Sequence, residues 1–148
     1  MINLRKISNN IKYSVCKMSN MSKAAHLGSS LSCVDILVSV FFSNIFHFNK
    51  KNYLKGDKFI LSKGHAASAL YSILAEKKYF KKKNLLKYGK NNSLYEEHPN
   101  FKVKGVICST GSLGHGLSFG SGIALGEKIQ NKKNKIIVLI SDGECNEG

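Results

Sequence analysis

The sequence predicts an α/β domain with a mostly parallel sheet. Two short apolar stretches, residues 57–62 and 136–140, are typical of buried β-strands, and helical patterns alternate with them. Parallel strands need a long crossover connection, which a helix usually provides. Hydrophobic residues make up 43% of the 148 residues, which is enough for a substantial core. We therefore expect residues 1–148 to form one domain, without an internal repeat.

The first third of the chain is predicted to be helical. Residues 2–25 carry four apolar side chains at helical spacing: Ile7, Ile11, Val15 and Met18. Residues 26–30, HLGSS, interrupt this pattern, with Gly28 suited to a turn and the serines suited to cap the next helix. Residues 32–46 then form a strongly apolar helical pattern, which we expect to be buried on most faces.

The remaining elements alternate between strand and helix. The strand at 57–62 leads through residues 63–65 into a helix over residues 66–80. The Lys-rich stretch at 77–90 predicts a solvated helical hairpin. A Gly-rich passage then leads into a helix that ends near Gln130, and the second strand follows.

The Gly-rich passage at 110–122, TGSLGHGLSFGSG, could contact a ligand or allow close helix packing. Its glycine spacing, Gly-x-Gly-x-x-x-Gly from Gly114, is one residue off the dinucleotide fingerprint, and it lacks the Lys-Ser/Thr pair of a P-loop. We interpret four glycines as packing positions on the helix: Gly116, Gly120, Gly122 and Gly126. Residues 111–114, which precede the helix, remain open to a backbone contact with a ligand.

Charge and cysteine content argue against several classes of function. The formal net charge is +14, but Arg5 is the only arginine, so the arginine forks usual in nucleic-acid binding are missing. Nucleic-acid binding is therefore an alternative that we do not favour. The four cysteines lack Cys-x-x-Cys spacing, which indicates free thiols in a reducing compartment. No apolar run approaches the roughly 20 residues of a membrane span, and we expect a cytoplasmic protein.

The second predicted strand ends in an Asp-Gly pair that is suited to a metal ion. Ligands of open α/β sheets bind at the carboxyl ends of the strands. Asp142 offers a hard oxygen ligand, and Gly143 lets a ligand approach the backbone closely. A magnesium ion bound there could hold a diphosphate, although an ordinary Asp-Gly turn is the alternative.

Three of the five histidines lie on predicted turns beside Gly or Pro. They are His26, His65 and His98, and each could exchange protons with a substrate near neutral pH. Lone histidines on loops are often merely exposed. Three on separate turns nevertheless predict a shared cleft.

Taken together, five motifs resemble the N-terminal, diphosphate-binding part of transketolases. In chain order they are HLGSSLSCVDIL, FILSKGHAASALYSILA, SLYEEHP, STGSLGHGL and SDGECNEG, between about Ser22 and Gly148. The resemblance is to the split type, in which this half is a separate chain. It implies a three-layer α/β/α thiamine diphosphate-binding fold, of which residues 1–148 would be a part that is incomplete at the C-terminus.

The resemblance also implies cofactors and a reaction. Transketolases use thiamine diphosphate and a divalent cation, usually Mg²⁺, to move a two-carbon ketol unit from a ketose phosphate to an aldose. Asp142 matches the metal-binding position, and Gly143 matches the residue whose backbone meets the diphosphate. Gly111 and Leu113 match contacts on the aminopyrimidine side of the cofactor, and His65 matches a further cofactor-binding position.

Catalytic residues follow from the same resemblance. His26, His65 and His98 match cleft histidines that hold substrate hydroxyls and assist proton transfer. Glu147 resembles a glutamate in the network that joins the sites of two subunits, and an exposed carboxylate at a helix start is its alternative.

Some features depart from the family pattern. Ser141 replaces the first glycine of Gly-Asp-Gly, His115 stands where many members have Gln, and Leu27 where many have Pro. A later Asn that completes the metal site, and the pyrimidine-binding half, would lie beyond Gly148. We therefore expect a C-terminal partner subunit, within a dimer or heterotetramer, with a noncatalytic remnant that docks to a partner as the alternative.

Overall fold

The computed structural model describes residues 3–52 and 55–147. Its α-helices are α1 (Leu4–Ser22), α2 (Leu27–Ser32), α3 (Val34–Phe42), α4 (Ala67–Glu76) and α5 (His115–Ile129). The strands are β1 (Lys58–Leu61) and β2 (Ile136–Leu139), and 3-10 turns lie at Gly64–Ala66, Lys82–Lys87 and Gly143–Asn146. None of the helices in these two ranges is long and apolar enough to cross a membrane.

The two strands pair in parallel, as the sequence predicts. Leu61 of β1 lies opposite Leu139 of β2. Alternate side chains of β1, including Phe59, belong to the core that α1, α3 and α4 form on one face of the sheet. On the other face, Gly120 of α5 lies directly over Val138. Helices therefore cover both faces, which confirms the three-layer α/β/α arrangement.

Helix α1 forms because its apolar residues share one face. Ile11, Val15 and Met18 are buried, as the helical spacing predicts, and Ile7 packs partly buried beside them. The helix packs against α3 and α4 through this face. Ile2, the first residue of the predicted helix, lies outside the described residues.

The turn between α1 and α2 does not use Gly28. Lys23 and His26 take left-handed conformations, with φ of 55° and 66°, whereas Gly28 lies inside α2. His26 is the N-cap of α2, and its side chain makes no capping hydrogen bond. The predicted glycine turn with serine caps is therefore wrong, because two non-glycine residues adopt the strained conformations instead.

Two predictions about solvent exposure also need correction. Helix α3 buries only the face that carries Val34 and Phe41, and Ile36 on its other side is 50% exposed. Over residues 77–90 there is no helical hairpin, because α4 ends at Glu76 and a single 3-10 turn follows. Buried apolar side chains shape this stretch despite its many lysines: Tyr79, Leu85 and Tyr88.

Glycines bring α5 close to the sheet at two positions. A Cβ atom on Gly116 would lie 2.5 Å from the Cα atom of Ser62, and one on Gly120 would lie 2.3 Å from Cγ2 of Val138. The packing interpretation is thus confirmed for these two glycines. It is wrong for Gly122 and Gly126, where an added Cβ would meet nothing within 4 Å.

Charged side chains hold the amino ends of the strands. The buried Asp57 carboxylate accepts hydrogen bonds of 2.7 Å from the backbone N–H groups of His47 and Lys135. The Lys58 ammonium lies 2.6 Å from the Glu127 carboxylate, and both residues are buried. These contacts join β1 to the segment that enters β2 and to the last turn of α5.

We predict opposite stability effects for two Gly→Ala substitutions on α5. Gly116→Ala forces the new methyl group against backbone of the Ser62 segment and should lower the free energy of unfolding by about 1–3 kcal/mol. Gly126→Ala adds a methyl group in open space and should raise it by about 0.5–1 kcal/mol. Denaturant unfolding of both variants measures the difference, and equal effects would contradict this packing.

Candidate functional site

The candidate site lies at the carboxyl edge of the sheet, where both strands end. The Ser62 N–H donates a 2.9 Å hydrogen bond to the carbonyl of Leu139, so the two segments leave the sheet side by side. The first segment continues to His65 and the second to Asp142. Parallel pairing thereby puts both motifs at the edge where α/β folds bind ligands.

The structure brings the three predicted histidines together. The ring centroid of His26 lies 5.3 Å from that of His65 and 6.4 Å from that of His98. Each histidine comes from a different segment of the chain. The cluster is open to a ligand, since His26 and His98 are exposed and His65 is half-buried.

Buried serines hold the His26 segment beside α4. The hydroxyl of Ser68 on α4 donates a 2.8 Å hydrogen bond to that of Ser30 on α2, and both residues are buried. The Lys63 ammonium donates to the hydroxyl of Ser32 at 3.2 Å. These contacts explain how a short helix keeps a stable position next to the His65 turn.

The phenol of Tyr71 holds the His98 segment. It donates a 2.9 Å hydrogen bond to the carbonyl of His98 and accepts one of 3.2 Å from the N–H of Asn100. Burial raises the pKa of Tyr71 far above its usual value, so the phenol keeps the proton that it donates. Sequence reasoning missed Tyr71, because its position in α4 looks like one more apolar position of the helix.

The Gly-rich loop lies against the turns that carry His65 and His98. A Cβ on Gly64 would lie 2.7 Å from the carbonyl oxygen of Thr110, and one on Gly111 would lie 3.1 Å from Cδ2 of His98. The Thr110 hydroxyl donates to the carbonyl of Leu61 at 2.6 Å. Gly111 therefore belongs to the histidine cluster, whereas Leu113 lies further along the loop and is 40% exposed.

The electrostatic environment favours a neutral His65. Partial burial lowers its pKa most, and the neighbouring His26 and Lys63 lower it further. The opposing influence of Glu144 is weaker. At neutral pH the imidazole therefore retains one nitrogen that can accept a proton.

Asp142 offers an open carboxylate at the end of β2. It is exposed, and its side chain has no hydrogen-bond or ion-pair partner among residues 3–52 and 55–147. Space beside Gly143 is free, because an added Cβ there would meet nothing within 4 Å. An open carboxylate beside accessible backbone fits a Mg²⁺ ion whose other ligands would be phosphate oxygens and water. Within those ranges no three His, Cys, Asp or Glu side chains converge as a complete metal site.

Glu144 is a buried carboxylate that sequence reasoning missed. Its oxygens accept hydrogen bonds from the Ser62 hydroxyl at 2.6 Å, the Gly114 N–H at 3.0 Å and the Ser141 N–H at 2.8 Å. Burial by itself raises the pKa of this carboxyl, but the hydrogen bonds outweigh burial and hold the pKa below its usual value. The available signal in the sequence was that Glu144 lies in the SDGECNEG motif, two residues after Asp142.

Glu147 lies beside the start of α5. Its Cβ atom would be 3.0 Å from a Cβ atom placed on Gly114, whose φ is 82°. Glu147 is exposed and follows the 3-10 turn at Gly143–Asn146. Glu147 leaves this turn in an extended conformation, and both its role in a network between subunits and the alternative of a carboxylate at a helix start stay predictions.

Comparison with known proteins gives the family and the fold of the chain. Residues 4–148 match the family model described as transketolase, thiamine diphosphate binding domain. The chain belongs to the transketolase family. Its fold agrees as well: the crystal structure of transketolase from Campylobacter jejuni superposes with a TM-score of 0.88 at 28% identity, over 100% of this chain and 25% of that one.

Relatives of this transketolase-family chain include separate subunits and longer chains. It is 38% identical over 128 residues to one subunit of the apulose-4-phosphate transketolase of Phocaeicola vulgatus, across 86% of this chain and 46% of that protein. It is 31% identical over 147 residues to the transketolase of Homo sapiens, across 98% of this chain and 24% of that one. The chain thus spans about half the length of the relatives that are single transketolase subunits.

We predict that His65 titrates below its usual pKa and that His26→Asn raises this pKa. The substitution removes a nearby imidazole that gains positive charge at low pH. Because the folded pKa lies below the unfolded one, the contribution of His65 to stability is complete above about pH 6.5. It is lost as the pH falls toward the folded pKa.

An NMR titration of the histidine ring protons measures this shift. His47→Asn is the matched control, since His47 contacts Asp57 at the other end of β1. An unchanged His65 pKa in His26→Asn would contradict the coupling between the two rings.

Proposed function

We propose that this chain is the diphosphate-binding part of a thiamine diphosphate-dependent transketolase. The whole enzyme would transfer a two-carbon ketol unit from a ketose phosphate to an aldose. One observation carries the proposal: His26, His65 and His98 form a cluster at the sheet edge from which Asp142 also projects. Membership of the family and the match to its cofactor-binding domain support it.

In this proposal, Asp142 and Gly143 hold the diphosphate end of the cofactor. The Asp142 carboxylate has no partner in the described ranges and would bind Mg²⁺, while the backbone at Gly143 is open to phosphate oxygens. Gly111 and Leu113 would contact the aminopyrimidine side, and His65 would approach the cofactor from the β1 turn. When bound, thiamine diphosphate supplies the electron sink for breaking and forming carbon–carbon bonds.

The histidines would position substrate and move protons. Neutral imidazoles both donate and accept hydrogen bonds, so adjacent sugar hydroxyls can be held between rings about 5–6 Å apart. His65, with its lowered pKa, would accept a proton at neutral pH. His26 and His98 would hold hydroxyl groups, and their fixed backbone would keep these groups oriented in the cleft.

We further propose that a second subunit completes the site. Several relatives are named as single subunits of a transketolase, which supports this division of the enzyme. Glu147, exposed beside the Gly-rich loop, would join the network between the sites of two subunits in a dimer or heterotetramer. The partner would carry the pyrimidine-binding domain.

The proposed setting is cytoplasmic carbohydrate metabolism, within the pentose phosphate pathway. Cysteines stay reduced in a reducing compartment such as the cytoplasm. The free thiols of all four cysteines support this setting: Cys16, Cys33, Cys108 and Cys145. Sugar phosphates would be the substrates.

We predict that Asp142→Ala abolishes Mg²⁺-dependent binding of thiamine diphosphate to the complete protein with its partner subunit. Glu144 cannot replace the lost carboxylate, because its oxygens are already engaged in hydrogen bonds. Calorimetric titration of the cofactor with and without Mg²⁺ is the measurement. Asp35→Ala, which removes a carboxylate that contacts Ser8 and Lys12, is the control. Unchanged cofactor affinity in Asp142→Ala would exclude the assigned role.

We predict that His98→Ala leaves cofactor affinity intact while it raises KM or lowers kcat, by about 10-fold, because a hydrogen bond to a substrate hydroxyl is lost. The backbone of His98 is held by Tyr71 and not by its own ring, so the loop should keep its conformation. Steady-state kinetics at saturating cofactor measure the change, and His47→Ala is the control. Loss of cofactor binding alone would assign His98 to the cofactor and not to the substrate. A wild-type protein that binds its partner but not the cofactor would favour the noncatalytic remnant.

A further inference from the structure

Glu144 connects three segments that are distant in sequence. One carboxylate oxygen accepts from the Ser62 hydroxyl at 2.6 Å and from the Gly114 N–H at 3.0 Å. The other accepts from the Ser141 N–H at 2.8 Å and the Ser141 hydroxyl at 3.3 Å. The residue is only 5% exposed, so these four contacts replace its solvation by water.

Each of the three segments carries part of the proposed cofactor site. Ser62 follows β1 and leads to His65, and Gly114 ends the Gly-rich loop that begins near Gly111. Ser141 immediately precedes Asp142. Glu144 itself would touch neither metal nor cofactor, because its oxygens are already occupied by the protein.

We propose that Glu144 is a positioning residue that holds the Asp142 turn and the Gly-rich loop at the spacing that thiamine diphosphate requires. The inference rests on the proposed function and deepens it. Groups held in place before a ligand arrives bind it better, because less conformational freedom is lost on binding. Outer contacts that orient metal ligands typically account for about 10–100-fold in affinity or activity.

The contacts predict that an amide cannot replace this carboxylate. Both oxygens of Glu144 face a backbone N–H donor, Gly114 on one side and Ser141 on the other. Glutamine has one acceptor oxygen and one NH2 group, so either orientation sets two donors against each other. Glu144→Gln, although close to the same size, must therefore release one of the two segments.

The first measurement uses the cofactor-free complete protein, with its partner subunit, to follow hydrogen exchange by mass spectrometry. Glu144→Gln should speed exchange in peptides that cover residues 111–117 and 140–147 and leave peptides from α1 unchanged. The second measurement is calorimetric titration with thiamine diphosphate and Mg²⁺. The variant should bind about 10–100-fold more weakly than wild type.

Two further variants separate positioning from general destabilisation. Glu76→Gln removes a carboxylate that pairs with Lys82 at the end of α4, and it should change neither cofactor affinity nor exchange in the two segments. Ser62→Ala removes one hydroxyl donor but keeps both backbone contacts of Glu144, and it should weaken binding less than Glu144→Gln. If Glu144→Gln does not fold, Ser62→Ala decides, because a carboxylate that loses its contact with the end of β1 should hold the two segments less firmly. Wild-type exchange and affinity in Ser62→Ala would then overturn the inference.

Three outcomes would overturn the positioning role or the function on which it rests. Wild-type affinity and exchange in a folded Glu144→Gln overturn the positioning role alone. Faster exchange throughout the protein, with cofactor affinity restored once the protein is stabilised by lower temperature, also overturns it. A wild-type protein that binds no thiamine diphosphate overturns the proposed function and this inference with it.

Discussion

The parallel pairing of β1 with β2 controls the geometry of the whole site. Because Leu61 and Leu139 are paired, the residues after them leave the sheet at one edge. An antiparallel pair would place His65 and Asp142 at opposite ends of the domain. Strand β1 is buried between α5 on one face and the α1, α3 and α4 layer on the other, whereas β2 is half-buried. Slippage would therefore expose apolar side chains, and the core itself maintains this register.

Close packing of α5 carries the Gly-rich loop to the same edge. The absence of a side chain at Gly116 lets the helix approach the Ser62 backbone, so the loop before the helix reaches the ends of both strands. Glu144 then joins loop and strand ends through a carboxylate that is fully hydrogen-bonded. The close approach of Gly116 to Ser62 and the hydrogen bonds of the buried Glu144 carboxylate thus act together, because both hold the start of α5 beside the ends of the strands.

The sequence predicts much of this fold, namely the elements in which one hydrophobic periodicity dominates. The apolar spacing of α1 and the apolar runs of β1 and β2 depend on local periodicity, and the structure agrees with them. Predictions that relied on residue type alone were less successful. The turn at Gly28 was wrong, because the left-handed residues are Lys23 and His26. The lysine-rich stretch hid buried Tyr88, since charge at neighbouring positions does not exclude a core contact.

The amino-acid sequence alone identifies the candidate chemical groups: three histidines on turns, an Asp-Gly pair after a strand and a Gly-rich loop before a helix. These follow from local patterns and from five motifs in a fixed order. Which groups meet is visible only in the folded chain, including the 5.3 Å approach of His26 to His65 and the support of the His98 backbone by Tyr71. Folding also makes Glu144 a shared acceptor for segments up to 82 residues apart. Such contacts depend on how the layers pack, and local periodicity carries no information about partners so distant along the chain.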